Sequence, residues 1–151
     1  MTLRLATEED IPAIKRMSYL FYDHSPYSSF EIDDEKVTAL TTDILKDKTK
    51  NIVILSCQPD PVGMIVGLSN EFMFNRKKIA MELLWWMDPE YRKSRDAIKL
   101  VEAYEYWATN VAKADIVQLS LLTTEQAPQI EKFYSRRGYK LSEKSFFKKV
   151  N

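Results

Sequence analysis

Residues 2–6 (TLRLA) alternate apolar and polar side chains, which predicts a short strand. The spacing then changes. Ile11, Ile14, Met17 and Phe21 form the inner stripe of a helix that tolerates Pro12 in its first turn, and Thr7 with Asp10 resembles a capping box with Asp in place of Glu or Gln. Residues 22–32 (YDHSPYSSFEI) keep no period and predict a loop rich in aromatics and serines. Asp33 is placed to cap a second helix running to about residue 48, with Val37, Leu40, Ile44 and Leu45 inward. Residues 51–58 (NIVILSCQ) are apolar and β-branched, a central strand. The turn at Pro59, Asp60 and Pro61 leads to a strand over residues 63–74, a polar hairpin turn over 75–78 and a third strand over 79–87.

The stretch from Glu82 to Ala108 organises the rest. A strand with two tryptophans and one carboxylate stops at Asp88-Pro89, because Pro has no N–H for a ladder. A basic turn then opens a helix whose inner positions are Ala97, Leu100, Val101, Tyr104, Trp107, Ala108 and Val111. Arg92, Lys93 and Arg95 sit where the helix already carries partial positive charge, and cations there are disfavoured by roughly 0.3–1 kcal/mol each. They read either as a solvated charge run, offset by Glu90 and Asp96, or as half of an anion site completed by backbone N–H groups. Beyond lie a buried strand over residues 115–122, a helix from Thr124 to a stop at Gly138, and one or more strands over 139–150.

Composition narrows the classes. The 151 residues fit one domain, 1–151, with no repeat, linker or low-complexity stretch. A hydrophobic fraction of 45% and a charged fraction of 29% are ordinary for a globular protein. The net charge of +0 implies no general attraction to nucleic acid or membranes, which leaves a contact through Arg92, Lys93, Arg95, Arg136 and Arg137 as a minor reading. No apolar run approaches the ~20 residues of a membrane helix, and the opening residues lack a secretory apolar core. With one cysteine, Cys57, and one histidine, His24, neither a disulfide framework nor a common zinc site is expected, and a cytoplasmic location is.

The order strand, Met87-Asp88-Pro89-Glu90-Tyr91-Arg92, basic turn, amphipathic helix resembles the acyl-coenzyme A site of the GNAT N-acetyltransferase superfamily. The family signature is Gln/Arg-x-x-Gly-x-Gly/Ala. Arg92 and Ala97 fit it, and Arg95 stands where the family usually has glycine, a residue that lets a pyrophosphate approach the backbone. Phe133-Tyr134-Ser135-Arg136-Arg137-Gly138-Tyr139 is similar to a second family segment, Phe-Tyr-x-x-x-Gly-Phe/Tyr. The element order β-α-α-β-β-β-α-β-α-β matches the family over essentially the whole chain. The basic run is also similar to that of bacteriophage-borne members.

The resemblance implies an α/β (α+β) fold, with a mixed, mostly antiparallel sheet flanked by about four helices. It implies transfer of an acetyl group from acetyl-coenzyme A to a primary amine by direct attack, without a metal. Arg92, Lys93, Ser94, Arg95, Asp96 and Ala97 would hold the coenzyme, and the backbone near Trp86 and Met87 would pair with its pantetheine arm where a bulge splays the strand. Tyr134 would be the general acid and Glu82 the base; apart from the family, these read as a core tyrosine and a salt-bridged or edge glutamate. One of Trp85 and Trp86 is expected in the core and the other along the acceptor cleft, Cys57 in the core, and His24 solvated. Tyr22, Tyr27 and Phe30 are candidates for an acceptor lid. If Arg95 instead closes the coenzyme site, the same fold would act by docking on a protein partner. The apolar centre of the last strand (KSFFKKV) is suited to pairing between two copies.

Overall fold

The computed structural model describes residues 2–151. Five strands form one sheet in chain order: β1 (Thr2–Leu5), β2 (Asn51–Cys57), β3 (Pro61–Glu71), β4 (Lys78–Met87) and β5 (Ile116–Gln118). All neighbours are antiparallel except β4 and β5, which run parallel through Ile79 with Ile116, Ala80 with Val117 and Met81 with Gln118. Four helices flank the sheet: α1 (Ile11–Asp23), α2 (Asp34–Ile44), α3 (Asp96–Tyr106) and α4 (Ala127–Arg136). This is the predicted mixed, mostly antiparallel α/β arrangement. No helix among the described residues is long and apolar enough to cross a membrane.

The sheet is buried on both faces, which is why β2 reads as an unbroken apolar run. Val53, Leu55 and Cys57 pack with Ile14 and Met17 of α1, while Ile52 and Ile54 pack with Leu100, Val101 and Tyr104 of α3. In α2 the inward residue is Thr41, whose hydroxyl donates to Val37 O at 2.8 Å, whereas Leu40, expected inside, is 56% exposed. After Tyr106 the α3 chain widens into a π turn at Trp107–Val111, closed by Ala112 N–H donating to Trp107 O at 2.9 Å.

One irregularity positions the site. β3 pairs Val66 with Leu84 but Gly67 with Glu82, so Leu83 is an extra residue on β4. The extra residue switches which face β4 presents. Ala80 before it and Trp85 and Met87 after it belong to the α3 side, while Leu84 and Trp86 belong to the α1 side. A bulge was expected near Trp86 and Met87, and it lies at Leu83, three residues before Trp86.

Residues 139–150 form no strand. A strand needs a hydrogen-bonded neighbour, and β5, expected over residues 115–122, ends at Gln118. The tail instead runs exposed back toward the loop before α2, with the Phe147 ring 5.1 Å from that of Tyr27 and Lys149 Nζ 4.9 Å from the Phe30 ring centre. Gly138 ends α4 as expected, at a φ of 91° that suits glycine.

Gly67 lies under the ring of Tyr104, and a Cβ there would come within 2.7 Å of Tyr104 Cε2 and 3.1 Å of Trp107 Cζ3. Gly67→Ala should therefore destabilise the fold by about 2 kcal/mol through overpacking, read as a lower urea midpoint. An unchanged midpoint would show that the Tyr104 ring does not hold this position.

Candidate active site

After Met81 and Gln118 the strands β4 and β5 pair no further. The backbone groups of β5 and the residues after it are met by side chains. Tyr104 OH donates to Gln118 O and Tyr134 OH to Ser120 O, both at 2.8 Å, and Ser120 N–H donates to Glu82 Oε2 at 3.4 Å. Glu82 thus sits where the strands part, on the side of α3 and α4.

Glu82 is 7% exposed and, among the described residues, is paired with no cation. Burial pushes its carboxyl up to about 8, and the Ser120 N–H opposes this only in part. Burial also holds the hydroxyls of Tyr134 and Tyr104 well above the usual phenol range, reinforced by the charge of Glu82. A carboxyl that titrates near neutral pH beside a phenol that keeps its proton is suited to general base and general acid roles.

The basic turn is braced from beneath. Asp88, 8% exposed, accepts from Trp86 Nε1 at 2.8 Å and takes both Arg16 nitrogens, at 3.1 and 3.0 Å, which ties α1 to the end of β4. Arg92 folds back: its Nε donates to Met87 O at 3.0 Å and its guanidinium lies 4.8 Å from the Trp86 ring centre. Asp96 is 4% exposed and turned inward, where Ser56 Oγ donates to it at 3.1 Å. Lys93 and Arg95 remain exposed. Arg95 adopts φ −67° and ψ −14°, ordinary right-handed helical geometry, so no glycine is required there for conformation.

Features of this region fit a coenzyme with a pyrophosphate and an amide-bearing arm. First-turn N–H groups of α3 lie outside its helical ladder, whose first bond from outside is Lys99 N–H to Arg95 O at 3.0 Å. Ser94 Oγ, in the same turn, is buried without a hydrogen-bond partner, and so is Trp85 Nε1. Asp88 N–H bonds Val62 O on β3, so by alternation Trp86 turns its backbone polar groups to β3 and Met87 turns its own away from β3, where Arg92 Nε already meets the O and leaves the N–H.

The two tryptophans separate as expected, one to each face. Trp86 is 5% exposed in the α1-side core, with the His24 ring 5.5 Å away. Trp85 faces α4, with its ring 6.0 Å from Phe133 and 6.3 Å from Tyr134. His24 is exposed and its Nδ1 is 2.7 Å from Leu20 O at the end of α1. Cys57 is a core residue, and burial raises its thiol. Sequence reasoning missed Ser120, Asp88 and Ser56 as supports, since neither period nor motif marks a backbone amide or a hydroxyl contact between distant strands.

No family model and no curated relative matches the sequence. Solved structures do. A transcriptional regulator from Bacillus halodurans C-125 superposes with TM-score 0.77 at 21% identity, covering 99% of both chains. The AAC(6')-Iy structure in complex with the bisubstrate analog CoA-S-monomethyl-acetylneamine superposes with TM-score 0.76 at 13% identity, covering 99% of this chain and 97% of that one. The aminoglycoside antibiotic 6'-N-acetyltransferase AAC(6')-IG from Acinetobacter haemolyticus gives 0.74 at 14% identity, covering 100% of both chains. At these identities the likeness is one of fold, and the fold is that of the GNAT acetyltransferases.

The raised Glu82 carboxyl has a definite effect on stability. An ordinary glutamate loses its proton near 4.5, as Glu82 does in the unfolded chain, but the folded protein holds that proton until about 8. Across this window the folded state binds the extra proton, so stability falls as pH rises. Glu82→Gln carries no charge and should gain on wild type through the window, with a limiting slope on the order of 1 kcal/mol per pH unit in urea unfolding. A difference that does not vary with pH would mean that Glu82 ionises freely in the folded protein.

Proposed function

We propose that the chain is an N-acetyltransferase that moves the acetyl group of acetyl-coenzyme A to a primary amine by direct attack in a ternary complex. The observation that carries this reading is the buried Glu82, near Tyr134, at the point where β4 and β5 part. The solved structure with a CoA bisubstrate analog, on the same fold, supports coenzyme A as the acyl carrier. The coenzyme supplies the thioester. The α3 first-turn N–H groups, Ser94 Oγ, Lys93 and Arg95 hold its phosphates, and Arg92 braces the end of β4 rather than meeting a phosphate. The Met87 N–H, on the edge away from β3, orients the pantetheine arm.

An amine similar to lysine is charged below ~10.4 and must lose a proton before it attacks. Glu82 takes that proton, which suits a carboxyl pushed up to about 8. Tyr134 keeps its own proton at neutral pH and passes it to the departing thiolate. The resemblance to bacteriophage-borne members finds no counterpart in the solved structures named above.

A second reading keeps the fold but acts by binding a protein partner. The similarity to a protein described as a transcriptional regulator favours it. The outward, helical Arg95 speaks against a closed coenzyme site.

Calorimetry with acetyl-coenzyme A separates the two. Wild type should bind it at micromolar concentration, and Lys93→Ala with Arg95→Ala should weaken binding about tenfold. Tyr134→Phe should leave binding intact and lower kcat about a hundredfold. Folded wild type that does not bind acetyl-coenzyme A would sink the enzymatic reading in favour of the binding one.

The partner set also includes a second copy of the chain. Phe146, Phe147 and Val150 are 93%, 58% and 86% exposed on the tail, the segment whose pattern predicts a strand. Light scattering should give a dimer for the full chain and a monomer for Phe146→Asp with Val150→Asp. A monomeric wild type at high micromolar concentration would reject this pairing.

A further inference from the structure

Two grooves indent the surface of the described residues. The larger, about 470 Å³, lies between β1, β2 and the end of α3, lined by Leu3, Ile52, Ile54 and Trp107. It is remote from Glu82, and nothing in the structure shows what covers it. The smaller, about 300 Å³, lies between α1, α2 and β4. A volume near 300 Å³ is at the low end for small-molecule sites.

The smaller groove has two properties that define an occupant. Its walls are Phe21, Tyr22, Ile32, Val37 and Leu84, apolar or aromatic. Leu84 is separated from Glu82 only by the bulged Leu83, so the groove approaches the parted strands from the face opposite α3 and α4. Its other notable lining residue is Glu31, exposed at the rim. Two neighbouring carboxylates, Asp33 and Asp34, are already engaged. Asp33 accepts from Lys36 N–H at 3.1 Å, and Asp34 pairs with Lys15 at 2.9 Å and accepts from Tyr19 OH. Among the described residues Glu31 has no such partner.

From this we infer that the acceptor is an amine on an apolar or aromatic body, with one further cationic or donor group that pairs with Glu31. The inference rests on the acetyltransferase reading above. The body fills the groove, the reacting amine reaches past Leu84 to the parted strands, and the second group meets Glu31, the carboxylate that lines the groove. A polar polycation, such as an aminoglycoside, would find one lining carboxylate and aromatic walls in place of the several acceptors its ammonium groups require.

The test uses the full chain with acetyl-coenzyme A and three probes: p-xylylenediamine, 2-phenylethylamine and kanamycin. Binding is read by calorimetry in the presence of coenzyme A, and turnover as released thiol. p-Xylylenediamine should bind and react best, and Glu31→Gln should raise its Kd and KM about tenfold, the effect of losing one charge-assisted contact, with little change for 2-phenylethylamine. Glu31 is exposed, so this variant should fold. Preferred turnover of kanamycin would overturn the proposed acceptor class and leave the acetyltransferase reading standing. Glu31-dependent binding of p-xylylenediamine without product would uphold the groove and reject the chemistry. No binding of either aromatic amine would overturn the proposal.

Discussion

The structure depends on the parting of β4 from β5. Parallel pairing lasts for three residue pairs and ends at Met81, directly before Glu82. On the other edge of β4 the extra residue Leu83 bends the strand and switches its faces. Strands that separate inside a protein leave buried N–H and C=O groups without a ladder, and such groups cost free energy unless other partners meet them. Here the partners are tyrosine hydroxyls from two helices, Tyr104 to Gln118 O and Tyr134 to Ser120 O. The gap is therefore held open by specific contacts. Gly67 is part of the same device, because its missing Cβ makes room for the Tyr104 ring.

The carboxyl at the gap works against folding at higher pH, since burying a charge without a paired cation is costly. Among the described residues Glu82 meets only a long hydrogen bond from Ser120 N–H, and it remains protonated until the pH approaches 8. Asp88 and Asp96 are as deeply placed but answered, the first by Arg16 and Trp86, the second by Ser56 and Lys99. The contrast separates carboxylates that brace the strand end and the turn from the one left able to exchange a proton.

The same turn shows how charge is divided by role. Arg92 satisfies Met87 O and lies on Trp86, so it stiffens the junction of strand and helix. Lys93 and Arg95 stay outside, and Ser94 Oγ points into a buried space without a partner. The two faces of the sheet are divided as well. The turn, Trp85 and Tyr134 serve the α3 and α4 side, and the aromatic groove serves the α1 and α2 side. The parted strands connect them.

Much of this was legible in the residues. Periods of two and of three to four residues, with apolar runs, marked five strands, four helices and the two-faced burial of β2, because side-chain spacing is a local property of each element. The basic turn and the Phe133-Tyr134 segment gave the fold class, and Glu82 stood out as a lone carboxylate in an apolar strand. Three matters were settled only by tertiary structure. Alternation cannot place an extra residue, so the bulge was expected near Trp86 and Met87 and its position at Leu83 came only from the fold. A strand pattern cannot supply its own neighbour, so residues 139–150 have the right spacing and no ladder. The surroundings of Glu82, a Ser120 amide and phenols from α3 and α4, come from residues distant in the chain. A side chain's period is set by its own backbone, whereas its proton affinity and its partners are set by whatever the fold packs against it.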